Sequence, residues 1–200
     1  QSSMLSSIPA GGTWTSADAS VVTVDPGGMV TGDHAGNATI TYTISTGCQR
    51  MTAFTVNTMP ATITGMAPVC EGFSIPLSNA TAGGTWQSDA TGIATVSSTG
   101  TLTGIDDGNA NITYTSALGC TATAIATVNA LPAAITGVAS VCQGLTTDLD
   151  NATAGGTWSS SADAIASVDA AGIVTGVTAG TAGISYVMGT GCYAVVTATV

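Results

Sequence analysis

The 200-residue chain has no lysine, one arginine (Arg50), one histidine (His34) and one glutamate (Glu71). Charged residues make up 6% of it, against roughly a quarter of an average protein. Each scarcity excludes something. Binding a phosphate backbone needs several Lys or Arg, so nucleic acid is excluded as a partner, and so is an anionic membrane surface. Without lysine there is no P-loop, no Schiff base and no Lys–Asn isopeptide link. A single histidine rules out a multi-His metal site and removes most acid–base machinery. No apolar run is long enough to cross a membrane, so no membrane insertion is expected. What is present is 26 glycines in a chain that is 44% hydrophobic and carries a net charge of −10. The remainder is mostly Thr, Ala, Ser and Val, a weakly charged and β-prone composition.

The strongest signal is an internal repeat. Gly-Gly-Thr-Trp occurs at Gly11–Trp14, Gly83–Trp86 and Gly155–Trp158, with a step of 72 residues each time. Cys48, Cys120 and Cys192 follow the same step, as do Cys70 and Cys142, and Tyr42, Tyr114 and Tyr186. The expected units are 1–59, 60–131 and 132–200. The first copy starts just past the position of its own first cysteine and so lacks a first strand, which reads as a window from a longer array. Pro60 and Pro132 recur at the unit boundaries and predict short, stiff junctions.

Copies two and three each carry two cysteines fifty residues apart. The spacing predicts two disulfides, Cys70–Cys120 and Cys142–Cys192, and leaves Cys48 unpaired or bonded to another chain. Free buried thiols are the alternative. Zinc is disfavoured, because no short C-x-x-C clip is present. Disulfides imply an oxidising place such as the periplasm, the cell surface or the medium.

Within one unit, short alternating segments recur with turn signals every eight to twelve residues. About seven strands per unit predict an all-β sandwich, and no window has a helical apolar period. The expected core of the second unit is Trp86, Ile93, Val96, Leu102, Ile112, Tyr114 and Val128, with Trp14, Tyr42, Trp158 and Tyr186 in the other copies. Gly32, Gly104 and Gly176, each after Thr, are expected at turn positions needing positive φ. A core of about seventy residues is marginal on burial alone, so packing between neighbouring units is expected to add to it.

The string Val30-Thr31-Gly32, then Gly36-Asn37-Ala38-Thr39-Ile40-Thr41-Tyr42, and its two later copies resemble the bacterial Ig-like domains of group 2. The resemblance covers essentially the whole chain. It implies tandem Ig-like β-sandwiches in an elongated array, export, and a role as stalk or adhesive module. It brings no catalytic residues, cofactor or metal. In antibody-type domains the disulfide joins the two sheets behind the Trp; here the cysteines flank the first and last strands, so that geometry does not carry over.

Other candidate sites have ordinary explanations. Asp106-Asp107-Gly108-Asn109 looks like part of a calcium loop, but calcium takes six to eight oxygens and the acids are not retained in the other copies. His34 stands alone. Asp18, Asp25, Asp89, Asp163 and Asp169 flank turns, where Asp bonds its own backbone. No acidic pair recurs, so no glycosidase is read. Asn37, Asn79, Asn111 and Asn151 sit in N-x-Thr sequons, which a Thr-rich chain produces by chance. A row of exposed tryptophans would make a sugar-stacking surface.

The sequence therefore predicts a non-catalytic structural segment of an extracellular fibre or cell-surface stalk, self-associating, with strand donation from a neighbouring subunit as a sharper form. The alternative is an adhesin module that recognises a glycan or surface protein through the variable stretches Thr15–Ser20, Gln87–Gly92 and Ser159–Ala164. An accessory stalk of a secreted enzyme is a third reading. Edge strands without lysine favour association, and so few charges predict little effect of salt.

Overall fold

A computed structural model describes residues 2–200. Every regular element among them is a strand. The first repeat contains β1 (Ser2–Met4), β2 (Thr13–Ser16), β3 (Val22–Val24), β4 (Met29–Gly32), β5 (Gly36–Thr43) and β6 (Gln49–Val56). The second contains β7 (Val69–Cys70), β8 (Ser74–Pro76), β9 (Thr85–Ser88), β10 (Ala94–Val96), β11 (Thr101–Gly104), β12 (Gly108–Thr115) and β13 (Thr121–Asn129). The third contains β14 (Thr136–Gly137), β15 (Thr146–Asp150), β16 (Thr157–Ser160), β17 (Ala166–Val168), β18 (Ile173–Gly176), β19 (Thr181–Val187) and β20 (Tyr193–Thr199).

Each repeat forms two sheets. They run β1-β4-β3 and β2-β5-β6, then β10-β11-β8 and β7-β13-β12-β9, then β14-β15-β18-β17 and β16-β19-β20. Most pairs are antiparallel. The exception in the second repeat is β7, which runs parallel to the end of β13 with Val69 opposite Val128 and Cys70 opposite Asn129. The third repeat repeats this as a parallel bridge between Ser140 and Thr199.

By packing, the chain divides into two compact units. One comprises Gln1–Thr64, Ser78–Trp86 and Thr113–Thr123; the other comprises Gly65–Leu77, Gln87–Ile112 and Ala124–Val200. The core of the first is Val22, Val30, Ala38 and Ile40, with Leu5, Trp14, Phe54 and Val56 packed on it. The second has a core of Leu149, Ala166, Val174, Ala182, Ile184 and Ala198, with Trp158, Ile165 and Val196 against it. Strict alternation produces these cores. Along β5, for example, Ala38, Ile40 and Tyr42 are buried and the residues between them are not, as a period of two requires.

The Gly-Gly-Thr-Trp motif has a steric cause that also explains its tyrosine. The first glycine takes positive φ: 90° at Gly11, 78° at Gly83 and 88° at Gly155. The second glycine lies under the tyrosine ring, so that a Cβ on Gly12 would come within 2.5 Å of Tyr42 Cζ, and Gly84 and Gly156 stand in the same way to Tyr114 and Tyr186. The tyrosine hydroxyl completes the lock. It accepts the N–H of the second glycine, at 2.7, 2.8 and 2.9 Å in the three copies. It donates to the carbonyl of Pro9, Thr81 or Thr153. The tryptophans are half-buried. Each packs on its tyrosine with ring centroids 4.5–4.9 Å apart, whereas the tyrosines themselves are buried. In the second repeat Leu102, Ile112 and Val128 are buried, while Ile93 and Val96 are half-buried and Ala94 takes an inward position.

The glycines of the Thr-Gly motif differ from expectation. Gly32, Gly104 and Gly176 end β4, β11 and β18 and are not among the positive-φ glycines. They are small because another strand passes close. A Cβ on Gly104 would lie 2.8 Å from Val128 Cγ1 and 2.9 Å from the Cys70 carbonyl oxygen; one on Gly176 would lie 2.8 Å from that of Cys142.

Two sequons also have a structural role. Asn79 Nδ2 donates to the Ala61 carbonyl at 2.5 Å while Thr81 Oγ1 accepts the Ala61 N–H at 3.0 Å. Asn151 and Thr153 hold Ala133 in the same way. These contacts fasten the residue after Pro60 and Pro132, with both Asn side-chain amides engaged.

Candidate functional site

The chemistry-bearing residues of the described chain are its cysteines. Cys70 and Cys192 form a disulfide with Cα atoms 5.7 Å apart and a sequence separation of 122. This corrects the expected pairs Cys70–Cys120 and Cys142–Cys192. The third repeat shows the physical reason. Cys142 lies beside the far end of β20, where the Val141 N–H donates to the Thr199 carbonyl at 3.0 Å. Cys192 immediately precedes the near end of β20. The strand between them spans about 20–25 Å, far beyond the roughly 4.4–6.8 Å that a disulfide allows between Cα atoms. Cys70 and Cys120 stand in the same relation to the two ends of β13. The bridge instead joins the opening strand of the second repeat to the closing hairpin of the third.

That hairpin is a tight turn. The Met188 N–H donates to the Cys192 carbonyl, and the Gly191 N–H donates to the Met188 carbonyl. Cys192 is fully buried, with its Sγ 3.8 Å from the Asn129 carbonyl oxygen. Phe73 and Tyr193 flank the disulfide with ring centroids 6.4 Å apart. The other thiols are free: Cys48 and Cys142 are exposed and Cys120 is half-buried.

Two concavities lie in the first compact unit. A small one of about 220 Å³ is lined by Leu5, Trp14, Tyr42 and Arg50, among others. A larger groove of about 640 Å³ runs past Ser2, Ser3, Gly32, Val56, Asn57 and Cys120.

The carboxylates form no catalytic constellation. Asp18 accepts from the Ser20 hydroxyl and N–H at 2.6 and 2.9 Å, and these bonds hold its carboxyl below the ordinary aspartate value. The Asn111 side-chain amide and then its backbone N–H, at 2.7 and 2.8 Å, do the same for Asp89. Asp25 and Asp169 cap their own turns. The fold brings Glu71 to Asp106 and Asp107, with oxygens within 4.8 Å of one another. Sequence reasoning had only the two aspartates; the parallel bridge of Glu71 to Gly104 adds the third. The counterparts of these three residues in the third repeat are Gln143, Thr178 and Ala179. Three exposed carboxylates fall short of a calcium shell. His34 is exposed and bonds the Ser20 carbonyl through Nδ1 at 2.8 Å, with no second histidine in the chain.

The pattern of the bacterial Ig-like domain (group 2) matches residues 9–54, 74–128 and 126–199. The chain belongs to this family. It consists of tandem all-β Ig-like domains. No curated protein matches the sequence. Among solved structures, the chain is similar to domains 4–9 of the surface layer protein SbsC (21% identity, 94% of this chain and 38% of that one, TM-score 0.27). It is also similar to invasin, a bacterial integrin-binding protein (15% identity, 95% and 52%, TM-score 0.46). A third is the C-terminal 282-residue fragment of intimin in complex with the intimin-binding domain of its translocated receptor (18% identity, 82% and 57%, TM-score 0.36). The chain spans about a third of the length of the surface layer structures it matches first.

Proposed function

We propose that the chain is a non-catalytic structural segment of an extracellular stalk or fibre, built from Ig-like repeats of residues 1–59, 60–131 and 132–200. The observation that carries this reading is the Cys70–Cys192 disulfide. A disulfide inside one domain stabilises that domain against unfolding. One between neighbouring repeats resists their separation and carries tension along the chain. A bond of this kind persists only in an oxidising compartment, which places the segment outside the cytoplasm. Family membership and the absence of any recurring acid–base pair in the sequence support the same role.

Immuno-electron microscopy of cells and shed material tests the reading directly. Antibody raised against the chain should decorate projecting stalks or filaments at regular intervals. Uniform label in the cytoplasm would overturn it.

A second reading rests on the smaller concavity. Arg50 is the only arginine in the chain and lines it beside Trp14 and Tyr42, while its counterparts in the other repeats are Ala122 and Ala194. A cation beside aromatic rings suits an acidic sugar or a carboxylate-bearing peptide. A glycan array showing retention that Arg50→Ala abolishes would make the first repeat an adhesive module.

A further inference from the structure

The larger groove has two filled counterparts in the same chain. In the second repeat, one period later, Val69–Cys70 lies parallel to Val128–Asn129 and covers Gly104. In the third, Val141 and Cys142 lie over Gly176, and the Val141 N–H donates to the Thr199 carbonyl. In the first repeat the counterparts of Gly104, Val128 and Asn129 are Gly32, Val56 and Asn57, and these line the groove. A Cβ placed on Gly32 meets only the Val56 side chain within 4 Å. The Asn57 side-chain amide donates across to the Leu118 carbonyl at 3.4 Å.

Cys120 supplies an independent observation. It is the counterpart of Cys192, and it lines this groove. Cys192 is bonded to the cysteine of the very strand that fills the second repeat's groove. The first unit thus carries both halves of the same arrangement: a slot beside Val56 and Asn57, and a thiol at its wall.

We propose that this groove docks an extended Val-Cys strand donated by a neighbouring polypeptide, and that the donor cysteine becomes disulfide-bonded to Cys120. The donor runs parallel to β6, with its valine opposite Val56 and its cysteine opposite Asn57. Its backbone satisfies the edge of β6, as in other cases of strand addition, and its valine covers Gly32 and Val56. The donor is not one of the chain's own Val-Cys strands, since both are already seated in their own repeats. The inference rests on the stalk reading and deepens it by naming the joint. Bond formation is a thiol–disulfide exchange. The Cys120 thiolate attacks the donor sulfur, which is held as a mixed disulfide with a small thiol. The new S–S bond forms as the old one breaks, and the small thiol leaves with the electron pair, so no external oxidant is consumed.

The test uses the intact 200-residue chain with its disulfide formed. The probe is a peptide of the sequence Ala67–Gly72 (Ala-Pro-Val-Cys-Glu-Gly), its cysteine carried as the thionitrobenzoate mixed disulfide. Thionitrobenzoate release gives the rate, and mass spectrometry of a digest gives the site. The peptide should join Cys120 at least about tenfold faster than a scrambled peptide does, because docking raises the local concentration. It should show no such preference at the exposed Cys48 and Cys142. Replacing the peptide's valine by aspartate should bring the rate at Cys120 down to the scrambled value. Equal or faster labelling of Cys48 and Cys142, or indifference to the valine, would overturn the docking site while leaving the stalk reading intact. Surface material in which Cys120 is bonded to a cysteine of its own polypeptide would overturn donation between chains. Loss of surface stalks from the microscopy would remove the reading on which both depend.

Discussion

Replacing Tyr186 by phenylalanine removes one oxygen atom and two hydrogen bonds. The hydroxyl accepts the Gly156 N–H at 2.9 Å and donates to the Thr153 carbonyl at 2.7 Å. The ring stays, so the packing on Trp158, with centroids 4.9 Å apart, is kept and no large cavity opens. Each lost bond has a net value of about 0.5–1.5 kcal/mol, and a buried group left unpaired costs more. The glycine end is only half-buried, so water offsets part of the loss, and the expected cost is about 2 kcal/mol. That corresponds to roughly a thirtyfold change in an opening equilibrium. Native-state hydrogen exchange of the Gly156 amide reads it, because this amide is the one released. Exchange about thirtyfold faster in Tyr186→Phe supports the account, and a change below about threefold refutes the claim that the hydroxyl locks the Gly-Gly turn.

The same lock ranks the two glycines of the motif. Gly156→Ala should destabilise the third repeat by more than about 3 kcal/mol, because its Cβ must displace the buried Tyr186. Gly155→Ala meets open space and a φ of 88°, and should cost about 1–2 kcal/mol in urea melts. Ser116 Oγ is buried without a partner, at the position of Ile44 and Met188 in the other repeats; Ser116→Val should raise stability by about 1 kcal/mol, and a loss in the urea midpoint would contradict this. The bonds from Asn111 hold the Asp89 carboxyl below its ordinary value of 3.8. The contribution is therefore complete above that pH and is lost as pH falls through the lower folded value. The stability difference between the chain and Asp89→Asn, measured by denaturant titration, should shrink as pH is taken well below 3.8.

Much of the fold was legible because a period constrains many residues together. Trp, Tyr and the Gly-Gly pair recur with one step because they touch one another, and the clean alternation through Ile112 and Tyr114 marks a half-buried strand. The cysteine pairing was not legible, for a reason inherent in repeats. A contact between two motif positions recurs in every copy whether it lies within one unit or between neighbours, so separations of 50 and 122 fit the same spacing pattern. Only the position of Cys70 beside the far end of β13 decides between them. The Thr-Gly glycines show a second limit. A recurring glycine signals either positive φ or a close approach, and the sequence around Gly104 does not reveal that Cys70 passes over it. The acidic cluster shows a third, since Glu71 reaches Asp106 only through a parallel bridge between residues distant in sequence.

Single-molecule stretching of the oxidised chain, held at its two ends, tests the covalent joint between repeats most directly. The Cys70–Cys192 bond hides a loop of 122 residues from the pull, leaving 78 of 200 to extend. At about 3.6 Å per residue, full unfolding should release roughly 280 Å of contour, rising to roughly 720 Å after reduction. Two bridges confined within the second and third repeats would hide only their two fifty-residue spacings and release roughly 360 Å. A value near 280 Å that disappears with Cys192→Ser supports the stapled stalk; a value near 360 Å contradicts it.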